Sequence, residues 1–187
     1  MSTHRSARDR LLDAANELFY NEGVQTVGID RVIERAGVAK ASLYNTFGSK
    51  EELVRAYLKG RHVGTTERLR AAIATHTDPV RRLLAPFDVQ VELFRQNDFR
   101  GCAFISATAE AADGGLVAQA ADEFRADIRA LFTDLTREAG ARDADALGYQ
   151  LHLIYDGAGI SARMDRDPSA AVQGRAAAAV LIQAALQ

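Results

Sequence analysis

A single cysteine, Cys102, rules out an intramolecular disulfide and fits a reducing compartment. Only three prolines interrupt the chain. No stretch alternates apolar and polar residues for long, so the pattern speaks against a sheet and for one helix after another. No run approaches the roughly 20 consecutive apolar residues that span a bilayer. The opening MSTHRSARDR lacks the apolar core of a signal peptide. These absences predict a cytoplasmic protein with no membrane partner. Charge of one sign is missing too. The net charge is −2, with nine Lys/Arg against eight Asp/Glu over residues 1–60 and fourteen against seventeen over 61–187. Bulk charge therefore neither argues for nor excludes nucleic acid, and local placement must decide. Lysine is also scarce, three of 23 basic residues, while Ala and Arg abound, which fits a GC-rich bacterial genome.

What is present is a chain of 187 residues, 48% apolar and 26% charged. That is long enough to bury a core without staples and too apolar for disorder. Ser6–Asn21 places Ala7, Leu11, Ala14, Ala15 and Leu18 at helical spacing, and Asn21-Glu22-Gly23 stops it. Val27–Ala36 and Lys40–Phe47 read as short helices around Gly37. Ser49 with Glu52 makes a capping box for a further helix from Lys50 towards His62, where Gly60 and Gly64 mark an end or a bend. Asp78-Pro79 opens another helix, kinked at Pro86. Arg100–Ala112 forms a short one, and Leu116–Leu135 a long one stopped by Gly140. Asp143–Met164 and a final helix after Asp167-Pro168 complete the chain. The expected fold is all-α, with about nine helices and an internal boundary near residues 60–76.

The block from Val27 to Leu53 carries the chemistry. A short turn at Gly37 lets two helices cross steeply. Ile29, Val32, Ile33, Val38, Leu43 and Phe47 supply the small core that fixes the crossing. The second helix is left with Lys40, Ala41, Tyr44 and Asn45 on its outer face, a shape that fits a DNA major groove. Two short helices with a glycine between them also occur in any α-helical protein, so spacing leaves both readings open. The string Ala36-Gly37-Val38-Ala39-Lys40-Ala41-Ser42-Leu43-Tyr44-Asn45-Thr46-Phe47-Gly48-Ser49-Lys50-Glu51-Glu52-Leu53 resembles the signature of the tetracycline-repressor (TetR) family, usually A-G-V-S-x-G-x-L-Y-x-H-F-x-S-K-E-x-L. The resemblance covers roughly residues 5–60.

That resemblance implies a three-helix DNA-binding domain over residues 1–60 and a larger regulatory and dimerisation domain over 61–187. It implies that Lys40 and Ala41 face bases, that Tyr44 touches a phosphate and that Lys50 approaches the backbone. Ser42 and Asn45 share that surface. Three positions depart from the pattern. Ala39 stands where Ser usually caps the helix, Thr46 where His is common, and Gly28 where Thr often caps the preceding helix, a role left to Thr26.

In the remainder, Phe87, Val91, Phe94, Cys102, Phe104, Tyr149, His152, Tyr155 and Asp156 combine apolar bulk with polar tips, as small-molecule pockets do. A phenylalanine at helical spacing also serves as ordinary core, a His–Asp pair at i, i+4 as a surface contact, and Cys102 as a small buried hydrophobe. The helix 143–164 shows two apolar stripes. Leu147, Leu151, Ile154 and Ala158 form one, and Tyr149, Leu153 and Ile160 the other. The family dimerises through its last two long helices, so the first stripe is assigned to the homodimer with Ala176 and Val180 of the last helix. Cys102, His152 and Asp156 could compose a nucleophile, base and orienter. No hydrolase elbow, P-loop, dinucleotide fingerprint or zinc spacing supports an enzyme, and no metal or cofactor is called for. The reading is a ligand-responsive regulator, a repressor of a palindromic operator on double-stranded DNA, released by a small, largely apolar effector. The alternative is a DNA-binding regulator controlled by a protein partner.

Overall fold

The computed structural model describes residues 5–111 and 114–187, within which nine helices and no strand are found. They are α1 (Ala7–Glu22), α2 (Ile29–Ala36), α3 (Lys40–Phe47), α4 (Lys50–Ala74), α5 (Pro79–Phe94), α6 (Ala103–Glu110), α7 (Leu116–Glu138), α8 (Ala144–Asp165) and α9 (Ser169–Ala185). Their ends follow from local chemistry. Ser6 Oγ accepts from Asp9 N at the start of α1, Asp78 from Arg81 N at α5, and Asp143 from Ala146 N at α8. Each such cap is worth about 1 kcal/mol. Gly37 ends α2 in the left-handed region (φ 63°, ψ 43°), which costs a glycine least.

Two expectations are revised. Gly60 and Gly64 neither end nor interrupt α4, which runs on to Ala74. Each glycine costs a helix about 1 kcal/mol against alanine. Buried Leu53, Val54, Leu58, Leu69 and Ile73 along the same helix offset that cost. The short helix expected over Arg100–Ala112 is confined to Ala103–Glu110, and Ala112 lies outside the described residues. Pro86 lies within α5, which continues as one helix to Phe94.

The contacts group the chain into two compact units. The first gathers the chain as far as His62 with Ala103–Asp122, and the second holds Val63–Cys102 with Glu123–Gln187. In the first unit α6 and the first turns of α7 cluster with the N-terminal helices. In the first unit α1 packs on α2 and α3 through Leu11, Ala15, Leu18, Val32 and Leu43. In the second, α5, α8 and α9 pack mutually, and its buried side chains include Phe87 of α5, Ile128 and Phe132 of α7 and Leu151 of α8. Small residues bring its helices close. A Cβ on Gly148 would lie 2.8 Å from Thr133 Cα of α7, and one on Gly174 would lie 2.9 Å from Ala158 Cβ. No helix among the described residues is long and apolar enough to cross a membrane.

Candidate nucleic-acid interface

The crossing of α2 and α3 is set by what it hides. Val32, Ala36 and Leu43 are buried, and Ile29, Ile33, Val38 and Phe47 are half-buried. Arg10 of α1 donates to Gly37 O across the turn (3.1 Å), and Gly37 N and Val38 N return to carbonyls of α2. Two arginines of α2 clamp it to α1. Arg35 pairs with Glu17 (2.6 Å), and Arg31 pairs with Glu22. Exposed pairs of this kind contribute little singly, on the order of 0–1 kcal/mol each. Together they hold orientation on top of the apolar contact.

With Leu43 inward, Lys40, Ala41, Tyr44 and Asn45 are all exposed on one side of α3, and Thr46 and Thr26 are exposed as well. The first turn of α3 has no side-chain cap at Ala39, and that of α2 has none at Gly28, so the substitute cap expected from Thr26 is not found; Ser42 is half-buried. Uncapped N–H groups at a helix start suit an anion such as phosphate. Thr46 Oγ1 donates to Ser42 O (2.6 Å), so its hydroxyl proton is committed to the helix.

Lys40 Nζ sits 2.8 Å from Asp30 Oδ1, and that hydrogen bond raises its pKa further above the ordinary value. Lys50 is half-buried at the start of α4, where Ser49 Oγ accepts from Glu52 N as expected (3.1 Å). Burial lowers the Lys50 pKa, and the charge of Glu110 offsets part of that. Glu110, at the end of α6, also accepts from Gln25 N (2.7 Å) and lies against Gly23, whose φ of 91° excludes most side chains. Sequence reasoning missed Asp30, Arg10 and Glu110. Asp30 sits ten residues before its partner and could have been sought. Glu110 acts across 85 positions, and no local pattern marks it.

The residues expected to form a pocket separate into groups. Phe87, His152, Tyr155 and Asp156 come together in the second unit with Phe132 and Gln90. The Phe87, Phe132 and Tyr155 rings lie 5.6–6.0 Å apart, and His152 stacks on Phe132. Gln90 Nε2 donates to Tyr155 O (2.8 Å), which fixes the amide and leaves Gln90 Oε1 buried without a partner. His152 Nε2 is 3.4 Å from Asp156 Oδ2, which also accepts from Arg125 (2.6 Å), and His152 Nδ1 is buried and unpaired. Desolvation lowers the His152 pKa from its ordinary value, and the Asp156 charge opposes that shift. Burial drives the Tyr155 phenol far above its usual value, with the nearby Cys102 adding to the effect. Val91 and Phe94 belong elsewhere, to an apolar cluster with Phe99, Ala158 and Ala171. Phe104 lies in the first unit, edge-on to His62. Tyr149 is exposed, with Arg129 4.7 Å over its ring. A separate open groove of about 420 Å³ between α4 and α5 is lined by Arg68, Ala72, His76, Val89 and Glu92 among others, none of them among the nine expected residues.

The stripe assigned to the dimer is corrected in part. Leu147, Leu151 and Ala158 are 0–7% exposed inside the monomer, because they fill the contact of α8 with its own neighbours. Ile154 is half-buried, next to Gly174. The large apolar residues left in solvent on α8 are Tyr149, Leu153, Ile160 and Met164. On α9 they are Val172 and Val180, and Ala176 is exposed as well.

A short helix seated on a second, joined through a left-handed glycine and presenting an exposed outer face, has the geometry of a helix-turn-helix. The family model described as bacterial regulatory proteins, tetR family, matches residues 11–57. The crystal structure of SCO4454, a TetR-family transcriptional regulator from Streptomyces coelicolor, superposes with a TM-score of 0.92. The two are 30% identical, over 97% of this chain and 96% of that one. The chain therefore belongs to the TetR family of transcriptional regulators, DNA-binding proteins rather than enzymes. Among curated relatives, the transcriptional activator FasR of Mycolicibacterium smegmatis is 34% identical over 71% of this chain. The transcriptional repressor KstR2 of Mycobacterium tuberculosis is 31% identical over 46%. The chain spans 60% of the length of FasR and 44% of KstR2.

Proposed function

We propose that this regulator binds a palindromic operator as a homodimer and that a small, largely apolar effector releases it. The observation that carries the DNA part is the outer face of α3, where Lys40, Ala41, Tyr44 and Asn45 stand exposed around a fully buried Leu43. Two copies related by a two-fold axis would set their recognition helices about one helical turn of DNA apart, or a multiple of it. Tyr44 and the amine of Lys50 would reach phosphates, and Lys40 and Ala41 base edges.

The exposed apolar residues of α8 and α9 support the homodimer. Leu153 is 49%, Met164 75% and Val180 68% exposed. Apolar surface of that extent on two adjacent helices is costly in water and is covered when a second copy packs on it. The aromatic cluster of Phe87, Phe132, His152 and Tyr155 supports an effector site. Buried Gln90 Oε1 and His152 Nδ1 would find partners on a bound molecule, which would recover the cost of leaving them unpaired. The α4 helix contributes residues to both units, so a shift of its second half would be carried along the helix to Lys50. The effector can release DNA only as far as it prefers the non-binding conformation. Release from an operator that overlaps a promoter makes the output repression lifted by ligand.

The test is selection of bound duplexes from a random pool at a stated salt concentration. Enrichment of one palindrome is expected. A non-palindromic site or no enrichment would overturn the dimeric reading of the recognition helices. Sedimentation at micromolar concentration should give a dimer that Leu153→Asp converts to monomer with its helicity unchanged. A wild-type monomer would remove the homodimer.

A further inference from the structure

Lys40 is not free in the unbound protein. It is the first residue of α3 and points from there to Asp30, in the first turn of α2, at 2.8 Å. Both side chains are wide open to solvent, 59% and 83% exposed, so nothing in the core requires the pair. Arg35 and Arg31, by contrast, reach back to α1 and tie the helices together. The Asp30–Lys40 pair instead bridges the two helices of the helix-turn-helix on the side where the recognition surface lies. A carboxylate beside a DNA-facing lysine is costly next to phosphates, since it cancels the one cation at the start of the recognition helix.

We propose that Asp30 is a specificity-determining residue, which holds Lys40 back from phosphates and releases it only to a base edge that offers matching acceptors. This rests on the reading of Lys40 as a groove-facing residue. On non-cognate DNA the lysine gains little by exchanging one anion for another and stays on Asp30, so it adds nothing to non-specific affinity. On a cognate site the N7 and O6 of guanine present two acceptors in a fixed geometry, and the exchange is favourable. An exposed ion pair is weak enough for this. A buried pair would bind Lys40 too firmly to be released. Asp30 thus lowers binding to the many competing sequences more than to the operator, which is the ratio that matters for a regulator. Its carboxylate also suits the N-terminus of α2, a role that asparagine at the same position retains in part.

The experiment compares wild type, Asp30→Asn, Lys40→Ala and the double variant. Each is titrated with a duplex recovered by the selection above and with a scrambled duplex of equal length and composition, over a range of salt. Circular dichroism checks that all four are folded. Asp30→Asn should bind the scrambled duplex about two- to fivefold more tightly, and the recovered duplex by a smaller factor. Its salt slope on the scrambled duplex should steepen by about 0.9, the increment for one more phosphate contact. The gain should vanish in the Lys40→Ala background. Unchanged scrambled binding, equal tightening on both duplexes, or a gain that survives loss of Lys40 would each overturn the role of Asp30. Lys40→Ala binding both duplexes like wild type would instead remove the groove-facing assignment of Lys40 beneath it.

Discussion

The recognition helix and the α8 helix use opposite arrangements of polar and apolar side chains. On α3 a single buried residue, Leu43, anchors the helix, and Lys40, Tyr44, Asn45 and Thr46 stand in solvent. On α8 the polar His152 is buried among aromatic rings, while Leu153 and Met164 lie in water. The first pattern is that of a surface meant for a charged, hydrated partner. The second leaves an exposed apolar face and buries one histidine in an otherwise apolar interior, each costly in a monomer that binds nothing. The difference teaches that the two units carry different kinds of readable signal. One shows its working side chains in a local string of residues. The other assembles them from segments 30 and more positions apart, as with Arg125 and Asp156 or Gln90 and Tyr155.

The sharpest way to separate the two regions is to hollow each in turn. Leu43→Ala should cost the first unit about 2–5 kcal/mol, and Phe132→Ala should cost the second about 3–5 kcal/mol. Urea unfolding followed by DNA binding and by total helicity should then show Leu43→Ala losing DNA binding at urea concentrations where most helicity persists. Simultaneous loss of both signals would make the two regions one cooperative structure. Next in size is Gly148→Ala, whose Cβ meets the Thr133 backbone, with an expected cost of about 1–3 kcal/mol. Gly60→Ala in α4 meets nothing and should stabilise by about 0.5–1 kcal/mol. A thermal melt of both variants distinguishes close packing in the second unit from helix propensity alone.

The buried histidine gives a pH test. The pKa of His152 is lowered in the folded protein from the ordinary 6.5, chiefly by desolvation. Asp156 opposes the shift, and Arg125 and Arg129 add to it. Below 6.5 the unfolded chain takes up a proton that the folded one refuses, so stability is present above that pH and falls as the pH drops towards the folded value. The urea midpoint should decline on acidification through this window, and His152→Gln should decline less. An identical decline in both would place the acid sensitivity elsewhere. The smallest effect is expected at Lys50. Lys50→Ala should weaken binding to cognate and scrambled duplexes alike and flatten the salt slope by about 0.9. Selective loss of cognate binding would make Lys50 a base-reading residue.

Much of the first unit was legible in advance because its determinants are local. Ser6, Gly37, Ser49 and the spacing of Val32, Leu43 and Phe47 act over a few residues, and the helices they predict are found. The length of α4 was not legible, because Gly60 and Gly64 weaken a helix locally while Leu69 and Ile73 stabilise it through distant packing. The choice between the two stripes of α8 was illegible for a related reason. Both Leu147–Leu151 and Tyr149–Leu153 have helical spacing, and the close fit of Gly148 against Thr133 accompanies the stripe that turns inward.

By itself the sequence determined an all-helical chain with a helix-turn-helix and the side chains its recognition helix carries. Periodicity, caps and a family string are all short-range properties of the backbone and its neighbours. Tertiary structure alone decided that Asp30 holds Lys40, that Glu110 accepts from Gln25 and acts by its charge on Lys50, and that Gln90, His152 and Tyr155 come together in one cluster. Hydrogen bonds and desolvation act over a few ångströms of space, and sequence separation carries no record of that distance.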